Sequence, residues 1–309
     1  MENFKSEPFQ KFLHSHTRLN NYIKLSTVAV DFLYKSKDNS KELSEHINTL
    51  ILEAGERWTP RIIKNIEKEV AQLKNDLSKT GIIWVYSAFD VFFKQAEGQL
   101  SGFFPKLTVD KNVYNNEEDV EEKKESKIIS LYAKLGWPID NIKGILPVLK
   151  FYEVLRHCVA HNMGHPTTNL IEISESDDFQ TAIKSWETKY VKKKISDPPI
   201  VTNESIKLKP HHCIMYSETC LRIATDINTR IFEKFGLNHF IGLTMKNHLI
   251  EPSKLKKPVC ENFSRYIVYH LKQDFDISVS PYDKIYDYYS DENLKKQHKL
   301  RYLTLKNIS

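Results

Sequence analysis

The sequence predicts a predominantly all-α fold: an antiparallel helical bundle with N-terminal helices, a loop or short hairpin insertion and a C-terminal helical extension. Three observations carry this expectation. Apolar residues recur at three- and four-residue steps along most of the chain. Helix start and stop signals fall at the ends of those periodic stretches. Only nine of 309 residues are glycine, against a usual share of about 7%, so tight hairpins are scarce and a sandwich or barrel is disfavoured.

The elements follow in order. Phe9, Phe12, Leu13, Leu19, Tyr22, Ile23, Val28, Val30 and Phe32 mark a first helix from Phe9 to Leu33. Asn39, Ser40 and Glu42 suit the start of a second, reaching about Glu56. Thr59-Pro60 has the form of an N-cap with proline at the first helical position, opening a helix to about Leu77. A further helix spans about Gly81 to Leu100, with Trp84, Ala88, Val91, Phe92 and Ala96 in register, and Phe103-Phe104-Pro105 ends it. Residues 106–126 form a linker or surface loop, and the charged run Asn115 to Lys124 has almost no apolar content.

A helix near Ser126 to Leu135 precedes the turn Gly136-Trp137-Pro138. From Ile142 to about Asn162, the residues Ile145, Leu146, Leu149, Tyr152, Leu155 and Val159 share one face. Pro147 lies in the first turn of this helix, and Asn162 and Gly164 are its stop signals. Residues 165–209 contain Pro166, Pro198, Pro199 and the stretch Leu170-Ile171-Glu172-Ile173, which together suggest loops with a short hairpin. Pro210 to Phe235 reads as a long helix ended by Gly236. Residues 1–237 form the main domain, with a core from about 60, and 238–309 form an extension with a Tyr282, Tyr286, Tyr288, Tyr289 cluster.

Composition excludes several functions. There is no G-x-G-x-x-G and no G-x-x-x-x-G-K-[ST], which removes most of the case for a dinucleotide-binding dehydrogenase, a P-loop NTPase or a kinase. The net charge of +5 permits an anionic partner such as RNA without demanding one. The opening residues Met1 to Lys5 lead into polar sequence, so no secretory signal is expected. The most apolar run, Gly81 to Phe93, is too short to span a bilayer and carries Asp90. Cys158, Cys213, Cys220 and Cys260 form no C-x-x-C pair and suit reduced thiols in a cytoplasmic protein.

The chemistry concentrates in Phe151 to His165, F-Y-E-V-L-R-H-C-V-A-H-N-M-G-H. His157 and His161 are i and i+4 on one helix face, and Arg156 reaches the same region. A guanidinium binds phosphate by a planar fork, and a histidine titrates near neutrality and moves protons. Such a set can cleave RNA without a metal: the ribose 2′-hydroxyl attacks the adjacent phosphate, a base takes its proton, and an acid protonates the departing 5′-oxygen.

Here the sequence resembles a family. R-H-C-V-A-H matches the R-x4-6-H motif of HEPN ribonucleases with four intervening residues, and H-N-M-G resembles the H-N-x-G ending of their active helix. Tyr86-Ser-Ala-Phe-Asp-Val-Phe-Phe-Lys94 is similar to the helix that packs against it. The resemblance is to the RiboL-PSP-HEPN and abortive-infection type, covers roughly residues 60–237, and leaves the extension uncovered. It implies an all-α endoribonuclease that needs no cofactor or metal. It also implies a homodimer with a composite cleft, acting as a toxin or abortive-infection effector in antiviral defence, with an antitoxin or regulatory protein as a further partner. By residue matching, Arg156 holds the scissile phosphate, His161 is the acid or base, and His157 orients the phosphate or its partner histidine. Asp90 pairs with Arg156 or lies on the polar edge of its helix, and Asn162 positions the helix end or touches RNA. The alternative is a non-catalytic HEPN-like RNA- or nucleotide-binding or assembly protein.

Other clusters are read more plainly. H-x-x-x-H at His157 and His161 is a zinc-compatible spacing, but no Glu follows His157 and no nearby group completes a shell. His211, His212, Cys213 and Cys220 fit no familiar zinc pattern, and the two cysteines, a heptad apart, suit buried thiols. Lys192, Lys193 and Lys194, in a lysine-rich stretch, either track an RNA backbone or form a solvated loop.

Overall fold

The computed structural model describes residues 4–35, 39–56, 62–101, 126–189, 198–250, 260–289 and 291–307. Among these the chain is predominantly α-helical. The helices are α1 (Glu7–Lys35), α2 (Ser40–Glu53), α3 (Ile66–Ser101), α4 (Lys127–Leu135), α5 (Asp140–Lys143), α6 (Leu146–His161), α7 (Thr168–Glu175), α8 (Asp177–Lys189), α9 (Pro210–Met245), α10 (Phe263–Phe275) and α11 (Glu292–Asn307). A π-helical turn covers Lys246–Ile250, and a 3-10 helix covers Tyr282–Tyr288. The expected hairpin is present as β1 (Ile200–Val201) and β2 (Ile206–Lys207), antiparallel, with Ile200 opposite Lys207 and Val201 opposite Ile206. No helix among the described residues is long and apolar enough to cross a membrane.

Local signals set many of the ends. The Asn39 side chain accepts the Glu42 N–H at 3.0 Å and caps α2. Gly136, in the left-handed region at φ +64°, closes α4, which a side chain with a Cβ would do only under strain. Thr167 caps α7 by accepting from the Leu170 N–H.

Two expectations are corrected. The two helices predicted over 60–77 and 81–100 are one, α3, which passes straight through Gly81. That glycine is buried where α3 meets its neighbours: a Cβ there would lie 2.7 Å from Cys213 Sγ and 2.9 Å from Ile23 Cδ1. Its missing side chain serves close packing, not a break. Second, residues 168–189 are helical instead of looped, and Leu170 and Phe179 anchor α7 and α8 in the core. Burial on one helical face overrode the β-branched composition. As expected, Gly236 ends the first helical stretch of α9, at the non-helical φ 69° and ψ 169°, and a second stretch then runs to Met245. Thr59-Pro60, Phe103 to Pro105, Asn115 to Lys124 and Lys192 to Lys194 lie outside the described residues.

The chain forms two compact units. One comprises Leu13–Phe93 and Val109–Ile223. Its core includes Leu19, Ile23, Ile82, Val85, Leu149 and Leu155, with Phe151 stacked on Phe179 at 4.4 Å and Tyr152 on Tyr216 at 4.8 Å between ring centroids. The other comprises Met1–Phe12, Lys94–Thr108 and Ala224–Ser309. There Phe4 packs on Phe232 and Phe240, at 4.7 and 4.6 Å. Asn228, buried, accepts the Ser6 N–H at 2.9 Å and donates to the Phe4 carbonyl at 2.7 Å. The Lys5 N–H donates to the Phe275 carbonyl at 2.7 Å.

Candidate functional site

The candidate site lies in the first unit, at the C-terminal half of α6. Pro147 sits in the opening turn, where its missing N–H has no intrahelical partner to lose. Val148, Leu149, Phe151, Tyr152, Leu155 and Cys158 bury one face and fix the helix rotation. That rotation leaves Arg156 and His157 half-buried and His161 exposed. The rings of His157 and His161 lie 4.9 Å apart, centroid to centroid, so the i, i+4 pair does converge.

A tight turn ends the helix beside His161. The Asn162 and Gly164 N–H groups both donate to the Cys158 carbonyl, at 3.1 and 2.9 Å. Met163 (φ +54°) and Gly164 (φ +81°) are successive left-handed residues, a conformation that costs a non-glycine residue strain. The Asn162 side-chain amide donates to the His165 carbonyl at 3.4 Å, and the His165 N–H donates to the Asn162 carbonyl at 2.8 Å. Asn162 is thus part of the hydrogen-bonded turn that ends α6.

α3 supplies the neighbouring wall. The Arg156 guanidinium carbon lies 3.8 Å from the centroid of the Tyr86 ring. Asp90 is half-buried, and the ion pair shown for it is with Lys127 of α4, at 3.9 Å. An aromatic face thus seats the Arg156 guanidinium, and Lys127 is an ion-pair partner of Asp90.

Sequence reasoning missed Glu153. It lies one turn before Arg156 on α6, a spacing that brings side chains together. Protein crowds its carboxyl although part of its surface stays accessible. Burial pushes the group from 4.5 to about 7, against the opposing pull of Lys127 and Arg156. Behind it, Tyr216 and Cys220 of α9 are fully buried, and burial pushes both well above their ordinary values, with the Glu153 charge adding to the effect. The site thus has an apolar, aromatic floor in which charge interactions are strong.

The remaining candidates resolve as structural. The His212 Nδ1 accepts from the Lys209 N–H at 3.0 Å, at the start of α9. The Cys213 thiol donates to the Ser78 carbonyl at 3.0 Å, and burial pushes it up to about 12. Among the described residues, no group of three or more His, Cys, Asp or Glu side chains is placed to hold a metal ion. In comparisons with protein-family models, with curated proteins and with solved structures, nothing matched the chain.

Proposed function

We propose that the chain is a metal-independent endoribonuclease of the HEPN type, working as a homodimer in the cytoplasm and acting as a toxin or abortive-infection effector in antiviral defence. One observation supports this reading most: an arginine seated on an aromatic face, beside two converging histidines, at a helix end that opens to solvent. Arg156 then forks the scissile phosphate. His161, the more exposed histidine, exchanges the proton, and His157 orients it. The 2′-oxygen bonds to phosphorus as its proton passes to the base, the bond to the 5′-oxygen breaks, and that oxygen takes a proton from the acid. The products are a 2′,3′-cyclic phosphate and a 5′-hydroxyl. A second copy of the chain brings its own motif to the cleft and completes the acid–base pair.

The test incubates wild type, Arg156→Ala and His161→Ala with total RNA, with and without EDTA, and maps the cut ends. Wild type cuts in EDTA and leaves the stated ends, while both variants stay folded by circular dichroism and do not cut. Alanine variants that cut as well as the parent would refute the assignment.

A further inference from the structure

α3 carries Lys79, Tyr86 and Asp90 at spacings of seven and four residues, which places them on one face. Two members of this row already have partners in the site: Tyr86 lies against Arg156, and Asp90 pairs with Lys127. Lys79 stands at the other end, two turns from Tyr86, or roughly 10 Å along the helix axis. There it meets the turn that follows His161. A Cβ built on Gly164 would lie 3.0 Å from Lys79 Nζ and 3.3 Å from its Cε. The ammonium therefore lies close over Gly164, where no side chain intervenes. α3 and α6 run antiparallel here, with Tyr86 level with Arg156 and Lys79 level with the residues just past His161.

Three properties make this position suited to an anion. It is fixed, because the Asn162–His165 turn is held by its own hydrogen bonds and by two left-handed residues. It is cationic, because Lys79 brings its ammonium there and no carboxylate among the described residues is paired with it. It is also adjacent, because Gly164 is three residues beyond His161 while Arg156 is five before it. A strand whose scissile phosphate rests on Arg156 and reaches His161 carries its next phosphate toward Lys79.

We propose that Lys79 is a phosphate-binding residue of the RNA site, seating the phosphate next to the scissile one and so adding to the affinity for the strand. This rests on the ribonuclease reading and adds a contact from a helix outside the R-x4-6-H motif. Lys79 holds the strand and does not touch the reacting atoms, so its loss affects binding more than turnover.

The test compares wild type, Lys79→Ala and Lys79→Arg. Binding of a short 2′-O-methyl oligoribonucleotide, which cannot be cut, is measured across a salt series, and kcat and KM are measured on the cleavable RNA. Removing one phosphate contact on a single strand lowers the slope of log affinity against log salt by about 0.7, equivalent to ~5-fold weaker binding near 0.1 M salt. Lys79→Ala shows that loss with a raised KM and an unchanged kcat, and Lys79→Arg restores the slope. A Lys79→Ala protein that melts earlier but keeps the wild-type slope and KM overturns the proposal, leaving Lys79 a cap for α6. Wild type that neither binds nor cuts RNA removes the ribonuclease reading and this proposal together. Wild type that cuts, with Lys79→Ala indistinguishable from it, removes the proposal alone.

Discussion

The guanidinium of Arg156 rests on the ring of Tyr86, its central carbon 3.8 Å from the ring centroid. Two helices distant in sequence meet at this contact, and it fixes the one side chain whose planar fork suits phosphate. A desolvated cation–π contact contributes ~1–2 kcal/mol. Tyr86→Leu should therefore reduce kcat/KM for RNA by roughly 5- to 30-fold, while Tyr86→Phe, which keeps the ring, stays near wild type. Steady-state cleavage of a fluorogenic RNA checks both, and equal losses for Leu and Phe would rule out the aromatic seat.

Glu153 makes stability depend on pH. The folded protein holds its proton up to about pH 7, whereas the unfolded chain releases it near 4.5. The folded state then binds more protons across that window, so this group's stabilising contribution is complete below about 4.5 and is lost as pH rises through about 7. Glu153→Gln removes the dependence. The variant should match wild type near pH 4.5 and exceed it at pH 8 by up to about 3 kcal/mol. Urea melts at both pH values measure the gap, and a gap that does not widen with pH contradicts the assignment.

Gly81 is a packing glycine inside a helix. Gly81→Ala should destabilise the fold by ~1–3 kcal/mol despite alanine's better helix propensity, because its methyl group would collide with Cys213 and Ile23. Trimming the neighbour with Cys213→Ala should return part of the loss in the double variant. The coupling is read from a double-mutant cycle in urea, and additive effects would mean the clash relaxes elsewhere.

Three thiols are sealed in the folded chain. Cys158, Cys213 and Cys220 are buried, and only Cys260 is partly accessible. Burial raises Cys213 to about 12 and raises Cys220 well above its ordinary value, and a thiol reacts as its thiolate. A chromogenic disulfide reagent should therefore release about one thiol per native chain and all four in denaturant. Fast release of two or more from native protein would contradict this.

The extent to which the sequence anticipated these features follows from where each signal is encoded. The caps at Asn39 and Gly136 and the turn at Asn162–Gly164 were legible because capping is a short-range interaction written in a few adjacent residues. The convergence of His157 and His161 was legible for the same reason, since i, i+4 geometry follows from the helix alone. The continuity of α3 through Gly81 was not, because what Gly81 accommodates is Cys213, 132 positions away. The helices over 168–189 were missed because Leu170 and Phe179 gain their helical stability from burial against distant partners. Tyr86 and Asp90 are one turn apart on α3, and no local signal says that the Tyr86 ring meets Arg156. Glu153 stood in plain view three residues before Arg156, but its significance comes from the burial of its surroundings.

The unit that contains Phe4 and Phe275 has a consequence for how the chain is made. Lys5 pairs with Asp276 at 2.6 Å across 271 positions of sequence. At ~5–20 residues per second, the amino-terminal segment leaves the ribosome on the order of ten to fifty seconds before the strip of backbone it will bond. Through that interval Phe4, buried in the finished fold, waits for Phe232, Phe240 and Phe275. Residues 13–93 and 109–223 can close into their own core while the ribosome still holds the last helices. Phe4 and Lys5 are then made early and reach their final contacts late.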